Sequence, residues 1–342
     1  MRTEHGVPLA AHTTLGLGGP AATMVTAYDE TEVVEALRTA TGPVLVLGGG
    51  SNLVVADEGF AGTVVRIASQ GRTATADADA VLLEVAAGEA WDALVASTVD
   101  QQLAGIECLA GIPGLVGATP VQNVGAYGQD VSMTVVSVRA YDRTRDEVVT
   151  IHDCGFGYRW SRFKAEAQRW VVLAVTYRLE RSVRSAPVRY AELARTLGVQ
   201  VGGTAPLTEV RDAVLALRRG KGMVLDPADP DTRSAGSFFT NPLLDAEDLQ
   251  ALRDRGFDPP TFPDGSGRVK VSAAWLIERA GFGKGHFDGS AGISSKHTLA
   301  LVNRGGATTE DLLTVARAVR DGVREVFGVA LVPEPVLVGT SL

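Results

Sequence analysis

The chain has 342 residues, 45% hydrophobic and 21% charged, a globular balance with apolar material for more than one domain. With 40 acidic against 32 basic residues and a net charge of −8, it is a poor general binder of nucleic acid or anionic membrane, although a local basic pocket stays open to it. Two cysteines without a C-x-x-C and five histidines without an H-E-x-x-H imply neither a disulfide framework nor a metal site, and the lack of a signal-peptide pattern or an 18-residue apolar run makes the cytoplasm the expected compartment.

In chain order, DETEVVEALRTA (29–40) reads as a helix with Val33, Val34 and Leu37 on one face and acids in its first turn. PVLVL (43–47) and TVVRI (63–67) read as short strands, the first of them buried. VLLEVAAG (81–88) reads as a strand. Residues 89–103 read as a helix with Trp91, Leu94, Val95 and Val99 at core spacing. Strands follow at 134–141, 147–151 and 170–180, then a helix over 206–220 with basic residues near its end. A third unit starts near 223. It holds helices at 245–256 and 272–281, each with a cap and a closing glycine, and a strand at 298–303. The clearest helix is 308–328, with a stripe of Leu312, Ala316, Val319, Val323 and Phe327 and a Thr308–Asp311 capping box. A strand around a proline pair (329–339) closes the pattern, and there is no internal repeat.

Four stretches carry possible chemistry. In LGGGSNLVV (47–55) a strand runs into Gly48, Gly49 and Gly50, then Ser51 and Asn52. Bare backbone amides there can converge on an anion such as a pyrophosphate; the alternative is a plain tight turn. GLGGPA (16–21) matches the dinucleotide fingerprint only weakly, since no strand precedes it and Pro20 interrupts it. AGIPGLVGATPVQNVGAYG (110–128) has too much glycine and proline for a regular element, yet is apolar between them. Such backbone is either a buried structural loop or the wall of a bound cofactor, with Gln122 and Asn123 adding hydrogen-bonding capacity. FGYRWSRFK (156–164) offers Arg159 as a pocket guanidinium suited to a carboxylate, while Arg162 fits an exposed turn. In AGSFFTNP (235–242), Ser237 is either part of a tight turn or a hydroxyl aimed at a reacting carbon.

Taken together with AAWLIE and the late VPEP, these motifs resemble, in order and over nearly the whole chain, the UDP-N-acetylenolpyruvoylglucosamine reductases, the MurB family of flavoproteins, in its type with a tyrosine loop. The resemblance implies an α+β fold with a two-part PCMH-type FAD-binding region, 1–67 and 68–222, the latter joined by the strand at 329–342, and a C-terminal α/β substrate-binding domain over 223–328. It implies non-covalent FAD, NADPH as hydride donor and a UDP-sugar substrate whose enolpyruvyl ether becomes a lactyl ether, in an early cytoplasmic step of peptidoglycan synthesis. A monomer is expected, with no nucleic acid, membrane insertion or metal.

Residue by residue, the resemblance sets the FAD pyrophosphate against Gly48, Gly49, Gly50, Ser51 and Asn52, and the flavin against the 110–128 loop, including Gly111, Gly117, Asn123 and Gly125. The catalytic groups fall on Arg159, Ser237 and Glu334. Arg159 would hold the substrate carboxylate, Glu334 in its acid form would donate to it, and Ser237 would protonate the carbon next to it. Substrate contacts fall on Tyr190 in VRYAEL, Lys221 in RRGKGMVLDP and Asn241 in FFTNP. Two positions depart from the pattern: Thr240 stands where many members have lysine, and Val332 where some have a second acid. The rival readings are a PCMH-type FAD oxidase of sugars or alcohols, for which no histidine stands near the glycine loop to tether the flavin, and a nucleotide-sugar binding protein without turnover.

Overall fold

The computed structural model describes residues 1–263 and 267–342. The chain forms two units. The first comprises Met1–Val7, Ala21–Gly49 and Ala61–Gly220; the second comprises Pro8–Pro20, Gly50–Phe60 and Lys221–Leu342.

The first unit carries two sheets. One has the order Arg2–Pro8, Pro20–Ala27, Phe60–Ile67, Val44–Leu47, with Val44–Leu47 parallel to Phe60–Ile67. Helix Glu30–Thr39 is capped by Asp29, whose side chain accepts from Glu32 N, and it buries Val33, Val34, Ala36 and Leu37. The strand at 43–47 was expected to be buried. It lies at the sheet edge instead, and of its residues only Leu47 is buried. Pro20, which spoils the dinucleotide fingerprint, opens a strand, a position where its missing N–H costs no ladder bond.

The second sheet is antiparallel, in the order Glu147–Ile151, Val135–Asp142, Trp170–Arg181, Ala80–Ala86, Arg72–Asp77. Trp91, in helix Trp91–Asp100, is buried. Its indole N–H donates to Leu109 O at 3.1 Å, and its ring tilts against Tyr177 at 5.9 Å. Tyr177 in turn shares a 2.8 Å hydrogen bond with Thr119. The sheet thereby grips the irregular 110–128 stretch, whose regular structure amounts to a 3-10 turn, Val116–Ala118, and a two-residue ladder of Gly125–Ala126 with Gln129–Asp130.

The second unit has small sheets and helices around one core. Ser234–Ser237, Ala300–Asn303 and Ala291–Ile293 form one sheet, and Leu243–Leu244, Val269–Val271 and Thr261–Pro263 another. Helix Thr309–Phe327 begins with the expected capping box between Thr308 and Asp311. It buries Leu312, Ala316, Val319, Val323 and Phe327 in a cluster with Leu15, Leu17, Val54, Phe238, Phe239 and Leu276. The late strand shrinks to Val336–Val338, since its prolines interrupt the ladder. It pairs in parallel with Leu53–Val55 of the same unit, not with residues 68–222.

Candidate active site

In the first unit the two glycine-rich stretches meet. A Cβ on Gly49 would stand 2.7 Å from Gly114 Cα. Bare backbone packs on bare backbone there, and Gly49 stays exposed, so no side chain keeps a polyanion from its free face. Gly111 has φ +71° and donates to Asp92 Oδ1 at 2.6 Å. Gly117 is forced by packing, since its Cβ would lie 2.5 Å from Ala87 Cβ. Asn123 also has a positive φ, +44°. Its Nδ2 donates to Gly157 O at 3.0 Å and its Oδ1 accepts from Ser132 N at 3.2 Å, so its amide stitches the loop to the arginine turn.

That turn is a two-residue reversal. Gly157 and Trp160 exchange backbone hydrogen bonds of 3.0 and 3.2 Å, which leaves Tyr158 and Arg159 at the tip. Arg159 has φ +51°, a left-handed conformation that costs a non-glycine residue about 1–2 kcal/mol and that collects at functional sites. It is half-buried. Its Nη2 donates to Gly125 O at 3.1 Å, and Lys164 Nζ donates to its carbonyl at 3.0 Å. The guanidinium of Arg218 is a neighbour that the sequence reading missed. Buried on helix Leu207–Gly220, Arg218 has its pKa pushed down to about 10, chiefly by burial. The charges of Tyr127 and Asp92 oppose that shift, and the like charge of Arg159 adds to it. At neutral pH it stays protonated. Its signal was present in the sequence, because Val210, Val214 and Arg218 fall on one helical stripe.

Tyr190 immediately precedes helix Ala191–Leu197 and is 43% exposed. Its ring meets Tyr127 edge-on at 5.4 Å. Tyr127 and Gly128 form the turn of the 125–130 hairpin with φ +50° and +84°, the paired positive angles of a type I′ turn.

In the second unit Ser237 ends the strand Ser234–Ser237. The register slips between Ser234 and Ser237, a bulge of the kind that re-aims side chains beside active sites. Gly236 precedes the serine. A Cβ there would meet open space, and its φ of +74° is what requires glycine. Phe238 and Phe239, both 1% exposed and 5.1 Å apart edge-on, anchor the turn. Glu334 is brought to the same place: its N–H donates to Phe238 O at 2.8 Å, and its carbonyl accepts from Asn52 Nδ2 at 3.4 Å. Thr240 and Val332, the two departures, are themselves partners through Thr240 N–H to Val332 O at 3.1 Å. Gly50 has φ +61°, and a Cβ on it would fall 1.9 Å from His12 O. Ser51 is half-buried beside it and Lys221 is half-buried at the start of the unit's long segment. Asn241 Oδ1 accepts from Ala273 N at 2.9 Å, a structural use of that acceptor. Lys296 pairs with Asp229 at 2.5 Å. Among the described residues no group of three or more His, Cys, Asp or Glu is placed to hold a metal, and no helix is long and apolar enough to cross a membrane.

Residues 21–152 match the FAD binding domain model, and the exposed backbone at Gly49, bare of side chain, suits such a dinucleotide. Residues 227–338 match the model of the UDP-N-acetylenolpyruvoylglucosamine reductase C-terminal domain. The UDP-N-acetylenolpyruvoylglucosamine reductase of Thermobifida fusca is 58% identical, over 98% of both chains; that of Streptomyces coelicolor is also 58% identical, over 99% of this chain and 91% of the relative. The crystal structure of the UDP-N-acetylenolpyruvylglucosamine reductase from Thermus caldophilus superimposes with a TM-score of 0.68 and 28% identity, over 99% of each chain. The glycine loops, the strained arginine turn and the bulged serine strand thus stand in a chain that shares 58% of its residues with two of these reductases over nearly its whole length, and it belongs to the UDP-N-acetylenolpyruvoylglucosamine reductase family.

Proposed function

We propose that this flavoprotein oxidoreductase of peptidoglycan precursor synthesis, a UDP-N-acetylmuramate dehydrogenase, takes hydride from NADPH and reduces the enolpyruvyl ether of UDP-N-acetylglucosamine to the lactyl ether of UDP-N-acetylmuramate. It works in the cytoplasm as a monomer. The bound, non-covalent FAD supplies the two-electron relay between the two substrates. Gly48, Gly49, Gly50, Ser51 and Asn52 receive its pyrophosphate. Gly111 and Gly125 line the flavin, while Gly117 and Asn123, whose packing and hydrogen bonds are committed to the protein, shape that wall.

Hydride adds to the terminal carbon of the vinyl group, and negative charge develops on the neighbouring carbon and its carboxylate. Arg159 pairs with that carboxylate, and Arg218 beside it adds a second positive charge. Glu334 is the third catalytic group. A proton from the Ser237 hydroxyl then completes the lactyl carbon, and solvent returns a proton to the serine. Tyr190, Lys221 and Asn241 hold the uridine diphosphate.

The observation that carries this reading is the junction in the second unit, where the bulge aims Ser237 and the backbone of Glu334 is bonded to the residue that follows it. The test is the visible spectrum of the purified protein, first with NADPH under anaerobic conditions and then with the enolpyruvyl sugar nucleotide. A yellow protein that bleaches with NADPH and regains colour with the sugar is the expected result. Colour regained only with oxygen would make it an oxidase, and a protein that stays colourless with added FAD would overturn the flavin site.

A further inference from the structure

Glu107 is a carboxylate at 0% exposure in the first unit. Its Oε2 accepts from Gly105 N at 2.6 Å. Its Oε1 accepts from Gln129 Nε2 at 3.0 Å and from Ala186 N at 2.9 Å. One oxygen therefore ties together two segments far apart in sequence. The Gln129 arm is the base of the hairpin whose turn carries Tyr127; the same glutamine also accepts from Cys108 N at 2.8 Å, which locks it in place. The Ala186 arm starts the run that ends at Tyr190. At the far end of both arms the segments touch again: Tyr127 packs on Tyr190, and a Cβ on Gly128 would stand 2.9 Å from Arg189 Cβ. The thiol of Cys108 is pushed upward by burial and, in addition, by the charge of Glu107.

A buried carboxylate without hydrogen bonds is strongly disfavoured, and bonds to a charged acceptor are among the stronger ones. The arrangement is a bracket, closed at one end by a charge and at the other by an edge-on ring pair. The rest of the run is fastened on its other side, where Ser185 N donates to Ala205 O and Val188 N to Gly203 O, both at 2.8 Å. Glu107 is its tie to the hairpin.

We infer that Glu107 is a positioning residue for the sugar nucleotide: it ties the base of the Tyr190 segment, at Ala186, to the 125–130 hairpin and so sets where Tyr190 can meet the substrate. This rests on the reading of Tyr190 as a substrate contact, and the experiment separates the two. Glu107→Gln turns one of the acceptor positions into an N–H facing another N–H. Ala186→Pro removes the loop's donor and leaves the carboxylate intact, which covers the case in which Glu107→Gln does not fold. On each FAD-loaded variant, amide exchange over 185–190 is followed beside steady-state kinetics with NADPH and the enolpyruvyl sugar nucleotide. The expected result is exchange of those amides faster by about tenfold or more, with KM for the sugar nucleotide raised about tenfold and kcat at saturation changed by no more than about twofold. Unchanged exchange over 185–190 in the variants would overturn the inference. So would unchanged KM in them while Tyr190→Phe raises it. If Tyr190→Phe leaves KM unaltered, the substrate reading of Tyr190 fails, and the positioning inference for the sugar nucleotide falls with it even where exchange quickens. A loss of kcat as large as the rise in KM would mark general damage to the fold and would also count against it.

Discussion

At the scale of single residues, the serine and the glycines make separable predictions. Ser237→Ala should leave bleaching of the flavin by NADPH intact, because that half-reaction needs no proton on a sugar carbon. Product formation should fall by roughly 10²–10⁴-fold, the usual range for a lost general acid. Stopped-flow absorbance read beside a product assay checks this, and undiminished product formation would remove Ser237 from the role. Two glycines with similar angles should behave differently. Gly236→Ala meets open space at φ +74° and should cost about 1–2 kcal/mol in urea unfolding, the price of left-handed strain alone. Gly50→Ala adds a collision with His12 O at 1.9 Å and should cost more than about 3 kcal/mol. Ser237, Glu334 and Arg159 could be nominated from sequence because each sits in a short local motif. Glu107 was not, because its partners Gln129 and Ala186 lie 22 and 79 residues away and no local pattern records them. Arg218 was legible in principle, but its neighbour Arg219 and the end of the helix made it look like one more dipole partner.

At the scale of elements, helices were easier to read than sheets. The 308–328 pattern became Thr309–Phe327 with its capping box, since both cap and stripe are local. Thr308→Ala should cost about 1 kcal/mol, measured as a shift of the urea midpoint. Strands Arg2–Pro8 and Arg72–Asp77 escaped notice because their side chains are largely exposed, so their pairing leaves little apolar signal. The junction of strands Val135–Asp142 and Trp170–Arg181 gives a pH prediction. Arg169 donates to both oxygens of Asp142, at 2.7 to 3.1 Å, and with Thr144 holds that carboxyl well below the usual carboxylate range. A carboxyl depressed in the folded state stabilises fully above the unfolded value of about 3.9 and loses that contribution as pH falls toward its folded value. The urea midpoint should therefore begin to fall near pH 4 and keep falling as the pH is lowered further toward pH 2, and Asp142→Asn should flatten that part of the profile. An identical acid profile in the variant would show that the pair contributes nothing. The bridge of Thr240 to Val332 recasts the two departures from the family pattern: they are neighbours in one structure, so restoring a lysine at 240 alone would place a charge beside a valine.

At the scale of the whole molecule, the two-unit organisation was only half legible. The change near residue 221 could be read, because the pattern of elements shifts there. The crossing of Pro8–Pro20 and Gly50–Phe60 into the second unit could not, because those segments are short and have no periodicity of their own. Their role in that unit makes its last strand decisive. Ending the chain after Pro335 removes Val336–Val338, the parallel partner of Leu53–Val55, together with the bonds from Val336 N to Asn52 O and from Ala56 N to Val338 O, each 2.9 Å. The shortened protein should unfold at least about 5 °C lower and lose its yellow colour on gel filtration; an unchanged melting temperature would show that the strand is dispensable. The same pairing has a consequence for the chain as it is made. Leu15, Leu17 and Val54 leave the ribosome early, but the core that covers them is completed by residues beyond 300. At ~5–20 residues per second, the wait from residue 54 to residue 338 lasts roughly 14–57 s, long enough for a chaperone to find those side chains before their own partners exist.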